Sequence, residues 1–502
     1  MFNGKKPEKL PEKPEYPVAK GPFKLEWDSL KQYKCPDWFR NAKFGIWAHW
    51  GPQAVPEAGD WYARNMYMEG HPQYKYHCEH YGHPSEFGYK DIVKLWRAEA
   101  FDPDALIQLY KKAGARYFVA LAVHHDNFDC WNSRYHRWNS VNIGPGKDIV
   151  GMWREAALKH GLAFGVTEHL ARSYNWFNTN KGCDKKGPYA GVPYDGNDPE
   201  YEDFYFPPHD DTNLAYPVNP PESWKQLWYM RIKDLVETYR PDLLYTDGGV
   251  PFGEVGRAMI ANFYNNNIAW HDGKLEAVYT LKDMREHDRR SHLSHGEYVE
   301  EIGVQDMERG VVEDIRPEPW QTDTCIGGWY YNKFIEYKTA ETVIHMLVDI
   351  VSKNGNLLLN FPLRPDGTLD EKAMKVLEGI TQWMAVNSEA IYDTRPWRIF
   401  GEGPVRSKGG LFNEDKLAYT SRDFRFTRKG DILYATCLAW PEDEKVRIES
   451  LGQGGNAERV ESVELLGCPS PLAWEQGVDG LWINLPKQKP CDYAWVFKIR
   501  LA

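Results

Sequence analysis

One pattern constrains this chain before any other: short, continuous apolar runs keep returning between segments with helical periodicity. The runs are FGIWAH (44–49), YFVALAV (117–123), LAFGVT (162–167), DLLYTD (242–247) and NLLLNF (356–361). Runs without polar alternation read as strands buried on both faces, the signature of a parallel sheet. Between them lie FDPDALIQLYKKAGA, KDIVGMWREAALKHG, SWKQLWYMRIKDLVETYR and ETVIHMLVDIVSKNG. KKAGARYFVALAV and AALKHGLAFGVT repeat one local grammar, a basic helix end, a capping glycine and then a strand. Strands alternating with amphipathic helices mean βα units. Five such strands across residues 40–365 fit a single (β/α)8-like barrel. A doubly wound sheet fits less well, because no G-x-G-x-x-G follows the first strand and polar residues end several different strands.

After EKAMKVLEGITQWMAVNSEAIYDTRPW the texture changes to short alternating segments such as GDILYATCLAW, EKVRIESL and DYAWVFKIRLA. These predict a small antiparallel β-sandwich. The expected organisation is an extended arm over 1–26, rich in Lys, Glu and Pro, a catalytic barrel over 27–395, and a sandwich over 396–502 that stabilises the barrel. A chain of 502 residues accommodates all three. The net charge of -11 and the lack of a dense basic block argue against a nucleic-acid partner. No apolar stretch approaches the roughly 18 residues of a membrane span, and the start, MFNGKKPEKLPEKPEYP, has no signal-like apolar core. The compartment stays open between cytoplasmic and mature exported, as does the oligomeric state. The eight cysteines never form a C-x-x-C pair and read as mostly free thiols.

A barrel does its chemistry where its strands end. Here the ends carry His49 and Trp50, then His124, His125, Asp126 and Trp131, then Glu168 and His169, then Tyr245 and Asp247. Adjacent histidines invite a metal, but consecutive side chains of an extended strand point to opposite faces. No H-E-x-x-H spacing is present either, so no metal and no cofactor are expected. Imidazoles that hydrogen-bond a neutral polyol are the better reading, and 21 Trp and 30 Tyr supply faces for sugar rings as well as ordinary core material. Asp247 closes an apolar run and precedes two glycines, which allow close approach of backbone or ligand. It is a candidate nucleophile, with a helix-capping role as the alternative.

Four ordered segments carry a resemblance. WFRNAKFGIWAHWGPQAVPEAGDWYARNMY, HHDNFDCWNSRYHRWNSVNIGPGKDIVG, PDLLYTDGG, and NGNLLLNFPLRPDG with NSEAIYDTRPW resemble the glycoside hydrolase family 29 α-L-fucosidases over residues 38–397. The resemblance implies a retaining, exo-acting hydrolase that removes terminal α-L-fucose from an oligosaccharide or polysaccharide through a covalent glycosyl-enzyme. It implies Asp247 as nucleophile, with His49, His124 and His125 on the sugar hydroxyls and Trp61 and Tyr245 near the ring. Asp60 stands where a Glu is more usual, and Tyr245 where a Trp is more usual. Glu168 is a further substrate-binding candidate.

The acid/base varies within that family. Gln321, in WQTDTC, occupies a place where a carboxylate is common, and an amide cannot supply the proton. Glu308, in VQDMERG, is chosen instead, with Asp306, Asp323 and Glu168 as fallbacks and an ion pair with Arg309 or another base as its bland role. An α-L-galactosidase or hydrolase of a fucose-like sugar is one alternative function, and an inactive glycan-binding protein another. The long acidic loop 181–211 is expected to overhang the site.

Overall fold

The computed structural model describes residues 6–414, 417–454 and 458–502. Eight parallel strands close into a barrel in chain order. They are β1 (Phe44–Ala48), β2 (Tyr117–Val123), β3 (Ala163–Glu168), β4 (Leu243–Thr246), β5 (Val278–Lys282), β6 (Val304–Asp306), β7 (Trp320–Cys325) and β8 (Gly355–Asn360). β8 closes on β1, with Phe44 opposite Leu357 and Trp47 opposite Asn360. Five strands are the apolar runs of the sequence. The other three, β5 to β7, escape it because VYTLK, VQD and WQTDTC mix polar residues into short runs.

The repeated grammar appears as expected. The helix Pro103–Lys112 starts on Asp102, whose carboxylate accepts from the Ala105 N–H, and ends at Gly114 with φ +103°. The helix Ile149–Lys159 starts on Asp148 and ends at Gly161 with φ +69°. Glycine is also needed inside the barrel. A Cβ on Gly45 would lie 2.4 Å from the Tyr117 ring, which crosses the barrel interior to donate to Gln321 Oε1 at 2.9 Å.

Beyond the barrel, antiparallel strands form a five-stranded sheet and a three-stranded sheet. The first contains β9 (Arg395–Glu402), β10 (Phe424–Lys429), β11 (Ile432–Cys437), β13 (Val460–Leu465) and β16 (Trp495–Leu501). The second contains β12 (Lys445–Ile448), β14 (Trp474–Gly477) and β15 (Gly480–Asn484). Phe424, Phe426, Leu433, Ile448, Leu481 and Phe497 share their apolar core. A buried ion cluster fastens β10 to the barrel helix Ala340–Ser352. Arg425 Nε lies 2.5 Å from Asp349 Oδ1, and Lys353 Nζ lies 2.8 Å from Asp349 Oδ2. At the other end of the chain, the described residues before Trp27 hold no helix or strand but run along two barrel helices. Tyr229 donates to the Pro17 carbonyl, and Asn265 to those of Ala19 and Phe23. The eight cysteines are free thiols, and no helix among the described residues is long and apolar enough to cross a membrane.

Candidate active site

The C-terminal ends of the barrel strands surround a cavity of about 340 Å³. β1 leads to His49, β2 to His124 and His125, and β3 to His169 and Arg172. β4 leads to Tyr245 and Asp247, β5 ends in Lys282, β6 leads to Glu308, and β7 carries Asp323. Asp60 and Trp61 enter from the loop after β1. Trp47, Trp61, Tyr245 and Trp329 give the cavity aromatic walls.

Asp247 is placed by the turn that follows β4. Gly248 has φ +131°, and a Cβ there would lie 2.6 Å from Tyr216 Oη, whose hydroxyl donates to the Asp247 carbonyl. A Cβ on Gly249 would lie 2.7 Å from the Glu297 carbonyl oxygen. The two glycines therefore let the chain turn tightly and aim the carboxylate inward.

Around that carboxylate the charges are ordered. Lys282 Nζ lies 2.8 Å from Asp247 Oδ1, and His125 Nε2 and His169 Nδ1 each lie 3.4 Å from Oδ2, with Arg172 at 3.8 Å. Burial alone would raise this carboxyl, but Lys282, His169 and Arg172 outweigh it and hold its pKa well below the usual carboxylate range. The same lysine ammonium lies 2.5 Å from Glu308 Oε2 and 3.6 Å from Asp323 Oδ2. Glu308 is pushed the other way, up to about 7, by burial and by the negative charges of Asp323 and Asp247, against the pull of Lys282. Burial opposes the charge on Lys282, yet Asp247, Asp323 and Glu308 keep it firmly protonated. Two carboxyls on one ammonium thus sit in opposite protonation regimes.

The histidines form the other side. Gln53 Nε2 donates to His124 Nδ1 at 2.8 Å, so the neutral ring presents Nε2–H, 4.0 Å from Asp60 Oδ1. His125 Nδ1 lies 2.8 Å from the His169 carbonyl, an acceptor only, so Nδ1 carries the proton and Nε2 a lone pair. Burial, with neighbouring rings or Arg172, holds His49, His124 and His125 well below the ordinary histidine value, so they are neutral. Both ring nitrogens of His49 and Asp60 Oδ1 are buried without a hydrogen-bond partner. Buried polar atoms left unpaired along a cavity wall are the complement of a polyhydroxylated ligand.

The nitrogens of His124, His125 and His169 also lie within 4.8 Å of one another, as do ligand atoms of His49, Asp60 and His124. The adjacent histidines do not diverge as an extended strand would have them, because β2 ends at Val123 and the chain turns at once. Both rings reach the cavity, 4.2 Å apart. Neither group of ligand atoms includes Asp247, whose carboxylate is already held by Lys282 and Arg172.

Of the residues picked from sequence, His49, Asp60, Trp61, His124, His125, Tyr245, Asp247 and Glu308 all line the cavity. Glu168 does not. Its carboxylate accepts from Thr246 Oγ1, Trp228 Nε1 and the Leu170 N–H, so it is consumed inside the wall that holds β3 to β4. Asp306 is likewise interior, accepting from Gln321 Nε2 at 2.9 Å. The pairing of Glu308 with Arg309 does not form: Arg309 turns to Glu414, and Lys282 takes its place. No residue of the 181–211 loop lines the cavity. Lys282 and Arg172 are the functional candidates missed in the sequence. The only signal for Lys282 was a cation closing the apolar–polar run VYTLK.

Comparison with known proteins identifies the family. The α-L-fucosidase family profile matches residues 13–389, and the α-L-fucosidase C-terminal domain profile matches 415–500. Tissue α-L-fucosidase of Mus musculus is 27% identical over 95% of this chain and 94% of its own, and the Homo sapiens enzyme 28% over 94% and 91%. Thermotoga maritima α-fucosidase, solved in complex with fucose, superposes with a TM-score of 0.72 at 26% identity, over 95% of this chain and 100% of its own. These matches over nearly the whole chain make it a glycosidase of the α-L-fucosidase family.

Proposed function

We propose that the protein is a retaining, exo-acting α-L-fucosidase, with Asp247 as nucleophile and Glu308 as acid/base. The observation that carries this is the ammonium shared by the two carboxyls. Their contacting oxygens can be no farther apart than the two distances combined, 2.8 and 2.5 Å, or 5.3 Å. That bound is below the roughly 6.5–9.5 Å of inverting pairs, which need room for a water, and so favours the closer pair of a retaining enzyme, at about 5–5.5 Å.

The terminal sugar enters with hydroxyls toward the histidines, donating to His125 Nε2 and accepting from His124 Nε2–H. Aromatic walls cover its C–H faces. Ionised Asp247 attacks the anomeric carbon while Glu308 gives its proton to the glycosidic oxygen. When Asp247 becomes an ester its negative charge disappears. The repulsion that raised Glu308 falls, and Lys282 turns wholly to Glu308, so its pKa drops as its task changes to deprotonating water. One lysine thereby serves both half-reactions.

The test is turnover of 4-nitrophenyl α-L-fucoside and α-L-galactoside by wild type, Asp247→Ala and Glu308→Ala, with azide. The expected result is fucoside turnover lost in Asp247→Ala and, in Glu308→Ala, partly spared on this good leaving group and raised by azide. The first-formed sugar should keep the α configuration by proton NMR. A β-configured first product, or a Glu308→Ala enzyme indistinguishable from wild type on poor leaving groups, refutes the assignment. Preference for the galactoside moves the substrate to α-L-galactose.

A further inference from the structure

A second groove, of about 890 Å³, adjoins the catalytic cavity, and His287 and Phe412 line both. One bank is the helix Arg285–Ser291 after β5, and the other is the segment 409–413 after β9. That segment is tied to the strip of chain that carries Glu308. The Phe412 N–H donates to the Glu308 carbonyl at 2.8 Å, and the Gly410 N–H to that of Val311 at 2.9 Å. Glu414 pairs with Lys338 at 2.9 Å. Phe412 is nonetheless 53% exposed and holds φ +56°, an uncommon backbone state for a bulky residue. An apolar ring held out to solvent at the lip of a site, in a strained backbone, is placed for a ligand rather than for the core.

The chemistry fixes which ligand. A general acid protonates the oxygen of the departing group, so whatever follows the cleaved sugar leaves past Glu308. The groove is lined there by Met307, the residue before Glu308. Its charges are unbalanced: Arg285 is held by Asp283 at 2.7 Å and Arg290 by Glu286, whereas Arg289 has no carboxylate within 4.0 Å among the described residues.

We propose that this groove is the leaving-group subsite, with the sugar next to the cleaved bond stacked on Phe412 and an acidic substituent farther along, sulfate or carboxylate, met by Arg289. The segment after the barrel then shapes substrate choice as well as supporting the fold. This rests on the assignment of Glu308 above.

The probes are α-L-fucosyl fluoride, whose leaving group is one atom, and fucosyllactoses that are neutral, singly sulfated or singly carboxylated on the lactose. For Phe412→Ala, kcat/KM should fall about ten-fold more on the neutral fucosyllactose than on the fluoride, and Phe412→Trp should restore it. For Arg289→Ala, the preference for an acidic over the neutral fucosyllactose should fall about ten-fold; the sulfated and carboxylated arms identify the anion. Equal losses on fluoride and fucosyllactose overturn the stacking role. A wild type that hydrolyses the fluoride but no fucosyllactose, or shows no preference for either acidic form, overturns the subsite as proposed. A wild type inert to the fluoride as well overturns the underlying assignment instead.

Discussion

Replacing Lys282 with Met keeps the stem and removes only the ammonium that stands between Asp247, Glu308 and Asp323. A unit charge at about 4 Å in an effective dielectric near 20 is worth about 4 kcal/mol, and these contacts are closer. Asp247 keeps His169 and Arg172 but loses Lys282, the strongest of the cations that hold its carboxyl down, so its pKa rises. Glu308, already near 7, moves higher because the cation that opposed its rise is gone. Both limbs of the pH profile of kcat/KM therefore shift upward. The acid limb from Asp247 moves up toward the working range, and the alkaline limb from Glu308 retreats to higher pH. At pH 6 the rate should fall about 100-fold, the loss typical of one preorganised electrostatic group. The assay is kcat/KM for phenyl α-L-fucoside from pH 4 to 9 in wild type, Lys282→Met and Lys282→Arg, a leaving group poor enough to need the acid. Lys282→Arg should recover the wild-type limbs in part. A Lys282→Met profile with both limbs where wild type has them would show that the ammonium does not set the two pKa values, and the reasoning would fail.

In wild type, kcat/KM on the same substrate should fall about ten-fold per pH unit above about 7, as Glu308 loses its proton, and Glu308→Gln should abolish that limb along with most activity. Gly249→Ala, whose Cβ would meet the Glu297 carbonyl at 2.7 Å, should cost activity out of proportion to stability, measured as kcat against the denaturant midpoint, because the displaced turn carries Asp247. Asp349→Ala leaves Arg425 and Lys353 buried without their carboxylate and should destabilise the fold by about 3–5 kcal/mol in chemical denaturation, with the joint variant Asp349→Leu/Lys353→Met/Arg425→Met recovering much of it. Burial opposes ionisation of Asp349, but Arg425 and Lys353 hold its pKa below the unfolded value. Its contribution is therefore present at neutral pH and lost as the pH falls through the lowered pKa, a slope that Asp349→Asn should flatten.

What the sequence reveals and hides follows one physical rule. β1 to β4 and β8 are visible because their residues pack against helices on one side and an apolar interior on the other, leaving runs such as FGIWA and NLLLN. Their ends, with His49, His124, His125, Tyr245 and Asp247, could be located by reading to where each run stops. β5 to β7 have the same backbone but a different interior. Lys282, Asp306, Gln321 and Asp323 point inward, hydrogen-bonded or ion-paired to one another and to Tyr117 and Tyr245. Each is affordable in the barrel only because the others are present, and no single residue in VYTLK or WQTDTC discloses that partnership. The same rule explains Glu168, which closes a visible strand and looks like a site residue, yet is spent on Thr246, Trp228 and a backbone amide. Position at a strand end tells where a side chain begins and not which neighbours claim it. A strand that carries the charges of a site loses the apolar signature by which strands are recognised, so the three strands that place Lys282, Glu308 and Asp323 are the ones hardest to see before the barrel folds.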